Sequence, residues 1–394
     1  MLFSVATNWQ EELLDRLDKS KIIEIYAKLN SDCIGGGRAS AAIPAITRKR
    51  AASYVRKVHS HGMRFNYLLN STCLDNAEWS HRGQRDIRGL LDWLAGIEVD
   101  AVTVSSPYLL EIIKKCYPAF EVNVSTQAGV DSPVRAKFWE DLGADQITLS
   151  FVDVNRDFPL LREIRKSVRC RLQLIANLMC LYRCPFYKYH ANINAHASQN
   201  THKTRHFLID YCFLRCNYLK FSRPWQMISA GWIRPEDLSY YAELGIERIK
   251  LVDRAMQTED ILRVVRAYTG GKYDGNLLDL FPFPRRNVTV SAVNLLHRFK
   301  YFMHPAKAYI FKLYEGRAIF EKNQIYLDNK KLDGFLQFFL EGKCKFNNCD
   351  RCGYCHGIAD RAMRIPEEYR NRMLKQFGKF LDRLVTGEMF SYKI

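Results

Sequence analysis

Two pairs of cysteines separated by three residues, Cys180/Cys184 and Cys212/Cys216, stand in the middle of the chain. A second group, Cys344, Cys349, Cys352 and Cys355, falls within a dozen residues near the C-terminus. Four thiolates complete either an iron–sulfur site or a tetrahedral zinc site. Residues four apart share one face of a helix, so each central pair can aim two sulfurs in one direction. The central spacing leaves both metals open. Radical chemistry with S-adenosylmethionine requires Cys-x-x-x-Cys-x-x-Cys, and Tyr187 and Leu219 stand where the third cysteine would be. The C-terminal group mixes two ferredoxin spacings without matching either, which predicts a second [4Fe–4S] cluster or a zinc ion. Its neighbours Lys343, Lys345, Phe346, Arg351 and Tyr354 suit a redox relay or a nucleic-acid contact. Cys33, Cys73, Cys116 and Cys170 are scattered and read as small buried hydrophobes.

Other side chains could act beside these sulfurs. His190 and His196, with Tyr187, Tyr189 and Asn192, follow the first pair and could serve as acid–base groups or substrate contacts. Asn177, at the end of an expected strand, is the third catalytic candidate. Gly35-Gly36-Gly37-Arg38 could cradle a carboxylate or phosphate on its backbone N–H groups, although a tight turn explains the glycines equally well. Lys250, Asp253 and Arg254 end the last expected strand and would complete an anion pocket, with Arg38 and Arg254 gripping a dicarboxylate donor. Asn70 joins Arg38, Lys250 and Arg254 as a substrate-binding candidate. The chain contains no His-Glu-x-x-His and no Gly-x-Ser-x-Gly, so it advertises no familiar protease nucleophile or zinc site.

The elements that must position these groups alternate. Apolar, β-rich runs predict strands over Ile22–Leu29, Arg64–Asn70, Ala101–Ser105, Glu121–Ser125, Gln146–Ser150, Arg171–Asn177 and Arg248–Val252. Helical spacing fills the gaps at Trp79–Trp93, Pro107–Cys116, Val134–Leu142 and Phe158–Val168. Apolar strands alternating with helices predict an α/β fold, a (β/α)8 TIM-type barrel with polar strand ends gathered at one mouth. A doubly wound open sheet is the alternative, but no Gly-x-Gly-x-x-Gly follows the first strand. The barrel domain is expected over 1–282, with a Cys-rich insertion at 178–233. A small, basic, Cys-rich C-terminal region is expected over 283–394.

The 59 basic against 42 acidic side chains give a net charge of +17, which favours RNA or an anionic small molecule as partner. The excess recurs at Arg48–Arg50, Arg162–Arg171, Lys203–Arg223 and Arg285–Lys322 rather than in one tail. No run of apolar residues is long enough to span a bilayer. The opening stretch lacks a basic n-region and reads as a short amphipathic helix rather than a secretory signal. With twelve cysteines and no export signal, a reducing, cytoplasmic location is expected.

Several longer motifs resemble a known family. They are Asn66-Tyr-Leu-Leu-Asn70; Gly129-Val130 followed by Phe138-Trp-Glu-Asp-Leu-Gly-Ala-Asp145; Val154-Asn-Arg-Asp157; and Cys180-x3-Cys184-Pro-Phe-x3-His190-x-Asn192-x3-His196. Ile233-Arg-Pro-Glu-Asp237, Gly245-Ile246 and Tyr273-Asp-Gly-Asn-Leu-Leu-Asp279 extend the match. Together they resemble the U-thirty-two, or collagenase-like, peptidases over almost the whole chain. The resemblance implies a TIM-type barrel and a [4Fe–4S] cluster held by Cys180, Cys184, Cys212 and Cys216. It also implies oxygen-independent hydroxylation of an RNA base or a quinone precursor, with a prephenate-like carboxylic acid as oxygen donor. The cysteine spacing departs from the RNA- and quinone-modifying branches, so the resemblance speaks more firmly to ligands than to substrate. Two other functions stay in view: a collagenase-like peptidase, and a non-catalytic RNA- or partner-binding protein with structural metals.

Overall fold

The computed structural model describes residues 1–282, 308, 312, 316, 319, 321–345 and 348–390. Phe346 and most of the basic stretch from Arg285 to Lys322 lie outside the described residues. Eight parallel strands close into a barrel: β1 (Leu2–Ala6), β2 (Ile22–Ala27), β3 (Arg64–Leu69), β4 (Ala101–Val104), β5 (Glu121–Val124), β6 (Gln146–Thr148), β7 (Arg171–Ile175) and β8 (Arg248–Leu251). Each strand pairs with the next, and β8 closes on β1 with Leu2 opposite Arg248 and Val5 opposite Leu251. The expected (β/α)8 barrel is therefore the fold.

Parallel neighbours cannot be joined by tight turns, so the chain crosses the outer face between strands, mostly as helix. These crossings include α1 (Glu11–Arg16), α2 (Arg48–Ser60), α3 (His81–Gly96), α4 (Pro107–Cys116), α5 (Pro133–Asp141) and α6 (Phe158–Ser167). Ala51, Tyr54, Val55 and Val58 on α2, and Ile87, Leu90, Leu91 and Leu94 on α3, recur at helical spacing and are buried. Thr47, Ser80, Ser106 and Asp157 start α2, α3, α4 and α6 by accepting a backbone N–H three residues on. Alternate residues of the strands form a second, polar core. Ser4 Oγ donates to Glu24 Oε1 at 2.7 Å, Thr103 Oγ1 to Asn66 Oδ1 at 2.8 Å, and Gln173 Nε2 to Ser4 Oγ at 2.8 Å.

The opening residues correct one expectation. Leu2–Ala6 is a barrel strand, and helix begins only at Glu11. Phe3 and Val5 pack into the hydrophobic core while Ser4 joins the polar network, an alternation that only a strand produces.

Between β7 and β8 the chain forms α7 (Tyr187–His196), α8 (Tyr211–Ser222) and α9 (Trp225–Ser229). A single turn at Pro235–Asp237 then leads into α10 (Leu238–Ala242). After β8 comes α11 (Thr258–Gly270), and the C-terminal residues add a two-stranded antiparallel pair, β9 (Tyr326–Leu327) with β10 (Met363–Arg364). Helices α12 (Gln337–Leu340), α13 (Cys349–Cys352), α14 (Tyr354–Ala362) and α15 (Glu367–Val385) complete the chain. Helix α15 lies on α8: the Phe221 ring sits 5.6 Å from Tyr369 and 5.9 Å from Phe377, and Arg370 Nε donates to Phe221 O at 2.8 Å. One hydrophobic core runs through the barrel shell and these C-terminal helices. Among the described residues no helix is long and apolar enough to cross a membrane.

Candidate functional site

The C-terminal ends of the strands face one mouth, and the segments that follow them carry most of the candidate residues. Residue Lys28, just past β2, is wholly buried and pairs with Asp32, Nζ to Oδ2 at 2.8 Å. Tyr67 Oη donates to the same Asp32 oxygen at 2.8 Å. Burial lowers the Lys28 ammonium below its ordinary value, and Asp32 opposes that shift.

Across the mouth, Arg38 holds Asp253 with Nε at 3.0 Å and Nη2 at 2.9 Å from Oδ2. Burial alone would raise the Asp253 carboxyl, but Arg38 and Arg254 outweigh it and keep it below its usual range. Arg254 is 6% exposed, and its Nη1 has no hydrogen-bond partner among the described residues. The Lys250 Nζ lies 4.0 Å from the centre of the Tyr26 ring. Burial pulls its ammonium down to about 8; Glu24 resists and Arg254 assists. Arg38 and Arg254 thus gather around Asp253, with Lys250 beside Arg254, a cationic set suited to an anion. A third of the Arg38 side chain stays exposed (33%), which makes it the outward-facing member.

The glycine loop does something other than cradle an anion. Gly35 N donates to Asp32 Oδ1, Gly36 N to Ser198 Oγ and Gly37 N to Asn70 Oδ1, so all three donors have protein acceptors. A Cβ on Gly36 would stand 2.7 Å from Asn70 Oδ1. These glycines let the loop lie flat against Asn70 and α7. Asn70 also donates to Ser125 Oγ at 3.2 Å, which joins the loops after β3 and β5.

The central cysteines approach from two directions. Cys180 and Cys184 sit on an irregular turn between β7 and α7, not on a helix face. Pro185 disfavours helical backbone at Cys184, and Arg183 takes a left-handed φ of 44° while its N–H donates to Val152 O at 2.9 Å. Cys212 and Cys216 do share a face of α8, as the spacing predicts. The four thiols feel one another. Burial pushes Cys184 up to about 12, with Cys180 and Cys216 adding to the rise. Burial likewise raises Cys212 to about 12, with Asp210, Cys184 and Cys216 contributing. Cys216 rises to about 11 by burial, against the pull of Lys220. Burial also raises Cys180, while Lys220 and Arg38 oppose the shift. Arg38 therefore belongs to both the thiol set and the anion cluster.

Lys220 is a residue that sequence reasoning missed. It lies two turns beyond Cys212 on α8, is 6% exposed, and acts on Cys180, Cys184 and Cys216. Spacing within Cys212-x-x-x-Cys216-x-x-x-Lys220 was the available signal, since all three fall on one helical face.

Two of the three catalytic candidates already have hydrogen-bond partners. Asn177 is fully buried and its amide clamps backbone: Nδ2 donates to Val252 O and to Leu280 O, and Oδ1 accepts from Val252 N at 2.8 Å. His190 Nε2 lies 2.9 Å from Asp210 Oδ2, and Asp210 caps α8 through Phe213 N. His196 stacks on His202 with ring centres 4.2 Å apart, and with Asp75 their ligand atoms come within 4.8 Å of one another. His202 Nδ1 accepts from Thr204 N at 3.2 Å, which leaves the ring proton on Nε2, facing Asp75 Oδ2 at 3.5 Å. His196 Nε2 is buried with no hydrogen-bond partner among the described residues.

The C-terminal cysteines also converge. Cys344, Cys349 and Cys355 line one cavity with Arg156, Tyr182 and Phe339, and Cys352 acts electrostatically on Cys349 and Cys355.

Comparison with known proteins places this architecture. Residues 33–270 match Peptidase family U32. A protein of Methanocaldococcus jannaschii, described as an uncharacterized protease, is 30% identical over 347 residues, 88% of this chain and 90% of that protein. The solved U32 peptidase Mk0906 is 23% identical with a TM-score of 0.48, covering 64% of this chain and 92% of the other. A phosphoribosylanthranilate isomerase from Thermotoga maritima, 11% identical, aligns with a TM-score of 0.37 over 68% of this chain and 100% of its own. With the family match spanning the barrel mouth and both central cysteine pairs, the chain belongs to Peptidase family U32.

Proposed function

We propose that Cys180, Cys184, Cys212 and Cys216 hold a [4Fe–4S] cluster, and that the protein is an oxygen-independent hydroxylase of an RNA base or an aromatic small molecule, using a carboxylic-acid oxygen donor. What supports the proposal is electrostatic coupling between two separate segments. Cys184 feels Cys180 and Cys216, Cys212 feels Cys184 and Cys216, and Cys180 feels Lys220 and Arg38, the last of which also holds Asp253 at the barrel mouth. The donor set fits the group. Burial keeps all four sulfurs protonated at neutral pH in the absence of metal, and a thiolate-bound metal removes that penalty. Lys220 and Arg38 then offset the negative charge of four thiolates.

A bound cluster supplies electron exchange or a Lewis-acidic iron. The chain's own side chains do the rest. Arg38 and the free Nη1 of Arg254 would bind a carboxylate, with Lys250 adding charge below pH 8. Asn177 and Asp253 fix the segment after β8 that carries Arg254. The net charge of +17 favours an RNA substrate over a neutral one.

The test is turnover under strict anaerobiosis with prephenate as donor and RNA or a phenolic acid as acceptor. Hydroxylated product that disappears in Cys180→Ser supports the reading. Peptide hydrolysis that survives removal of the metal would overturn it in favour of a hydrolase. That second reading has one contact behind it, Ser40 Oγ at 3.1 Å from His206 Nδ1. Ser40 is fully buried, however, and its hydroxyl donates to Asn30 O at 2.7 Å, so it is poorly placed as a nucleophile.

A further inference from the structure

The buried cation nearest the C-terminal cysteines is Arg156, in the loop between β6 and α6. It is 3% exposed and packed among aromatic rings, its guanidinium carbon 4.3 Å from the centre of Trp232, 4.7 Å from Phe335 and 5.2 Å from Phe339. Its Nη1 donates to Ile228 O and its Nη2 to Trp232 O, both carbonyls, while Nε has no partner among the described residues. Among the described residues no carboxylate forms an ion pair with it. A buried cation is costly without a counter-charge. Burial favours its neutral form, and the groups that resist the loss of its charge are, in order, Cys355, Tyr241, Asp237 and Cys344, so the one carboxylate among them acts from beyond ion-pair distance.

Those thiols face it across a shared cavity. Cys344, Cys349 and Cys355 line the space together with Arg156, Tyr182 and Phe339. Helix α13 begins at Cys349, with Asn348 Oδ1 accepting from Arg351 N at 2.9 Å. Gly353, at a left-handed φ of 69°, then turns the chain so that α14 delivers Cys355 to the same cavity. Tyr354 locks that turn: its ring stacks on Phe338 at 3.9 Å and its hydroxyl donates to Phe335 O at 2.8 Å.

We infer that Cys344, Cys349, Cys352 and Cys355 bind a second thiolate-ligated metal centre, with Arg156 as its buried counter-cation. Four thiolates around a divalent ion or a [4Fe–4S]2+ core leave a net negative charge, and Arg156 supplies the opposite charge without being a ligand. The cavity is about 30 Å3 and partly open, and among the described residues no three of these sulfurs lie within 4.8 Å of one another, so a single ion would have to draw them together. The site shares no ligand with the central set but adjoins it in space. Phe151 and Val152 line this cavity and also pack against Cys180 and Cys184.

The test is metal and acid-labile sulfide analysis of the full chain, purified without oxygen, as wild type, Cys349→Ser/Cys355→Ser and Cys180→Ser/Cys216→Ser. The C-terminal double variant should lose one centre, either zinc alone or iron with sulfide, and keep the metal that the central double variant loses. Zinc loss identifies a mononuclear site and iron–sulfide loss a cluster. Unchanged total metal in a folded C-terminal variant overturns the proposal, whatever the central variant shows.

Native wild-type protein gives a second readout that no folding defect can obscure. Cys352 is exposed, and so is Cys116, at the C-terminal end of α4, contrary to the buried position expected of it from the sequence. Iodoacetamide should alkylate Cys116 at once and Cys352 only after a chelator is added. Equal, immediate labelling of both would refute a metal at Cys352. Finally, Arg156→Gln should surrender the C-terminal metal at a chelator concentration lower by about tenfold. A curve superimposable on wild type would remove Arg156 from the site.

Discussion

His190 Nε2 stands 2.9 Å from Asp210 Oδ2, and that contact ties the helix after the first cysteine pair to the cap of the helix bearing the second. Asp210 has two tasks, since its other oxygen accepts from Phe213 N at 2.9 Å. Loss of the cap alone should cost about 1 kcal/mol. We therefore expect Asp210→Ala to lower both thermal stability and iron content, and Asp210→Asn, which keeps an acceptor for Phe213, to be milder. His190→Gln should keep most of the iron. If His190→Gln abolished turnover with iron content and stability intact, His190 would be a catalytic group rather than a strut.

The central thiols give a pH dependence of metal uptake. Burial raises Cys184 and Cys212 to about 12 and Cys216 to about 11, so metal must displace protons to bind. Apparent affinity of the metal-free protein for Zn2+ or Co2+ should rise steeply between pH 6 and 9. For the metal-free protein itself the sign is the reverse. A thiol whose folded value is raised contributes stability that is complete below its unfolded value, about 8.5, and that is lost as pH climbs towards 11 and 12. Titrations of affinity by competition and of stability by urea would check both slopes. Flat affinity from pH 6 to 9 would mean the thiols are already ionised.

Lys250 behaves oppositely. Its folded value is depressed to about 8, so the buried charge costs stability below pH 8, and the cost fades between pH 8 and 10.5. Lys250→Met should stabilise the protein at pH 7 by an amount on the order of 2 kcal/mol. The same change should weaken carboxylate binding at pH 7, and wild-type binding should itself weaken as pH passes 8. A variant that is less stable than wild type at pH 7 would show that Lys250 has a partner worth more than its desolvation.

Gly36 is a steric requirement. Its added Cβ would meet Asn70 Oδ1 at 2.7 Å and the Lys28 Cδ at 3.2 Å. Gly36→Ala should cost about 1–3 kcal/mol by overpacking and displace Asn70 from Ser125. A wild-type melting temperature for this variant would show that the loop has room to shift.

Much of this was legible in residue types. Seven of the eight strands declared themselves by apolar β-rich runs, since the barrel buries both faces of each. β1 did not, because five residues with a polar Ser4 carry too short an alternation to oppose the helical pattern that follows. The cysteine sets could be named from spacing, but Pro185 was the sign that the first pair would not be helical. A sequence does not reveal which polar groups already have partners: Asn177 and His190 are hydrogen-bonded, whereas His196 Nε2 is buried with no partner among the described residues. Lys220 and Arg156 escaped for the opposite reason: a lone basic residue looks like surface until the fold buries it.

The most direct measurement is iron and sulfide per chain in anaerobically purified protein, wild type against Cys180→Ser/Cys216→Ser. The account predicts that the variant loses about four iron and four sulfide per chain together with the visible cluster absorbance. Equal iron in both proteins, or zinc where iron is expected, would contradict it.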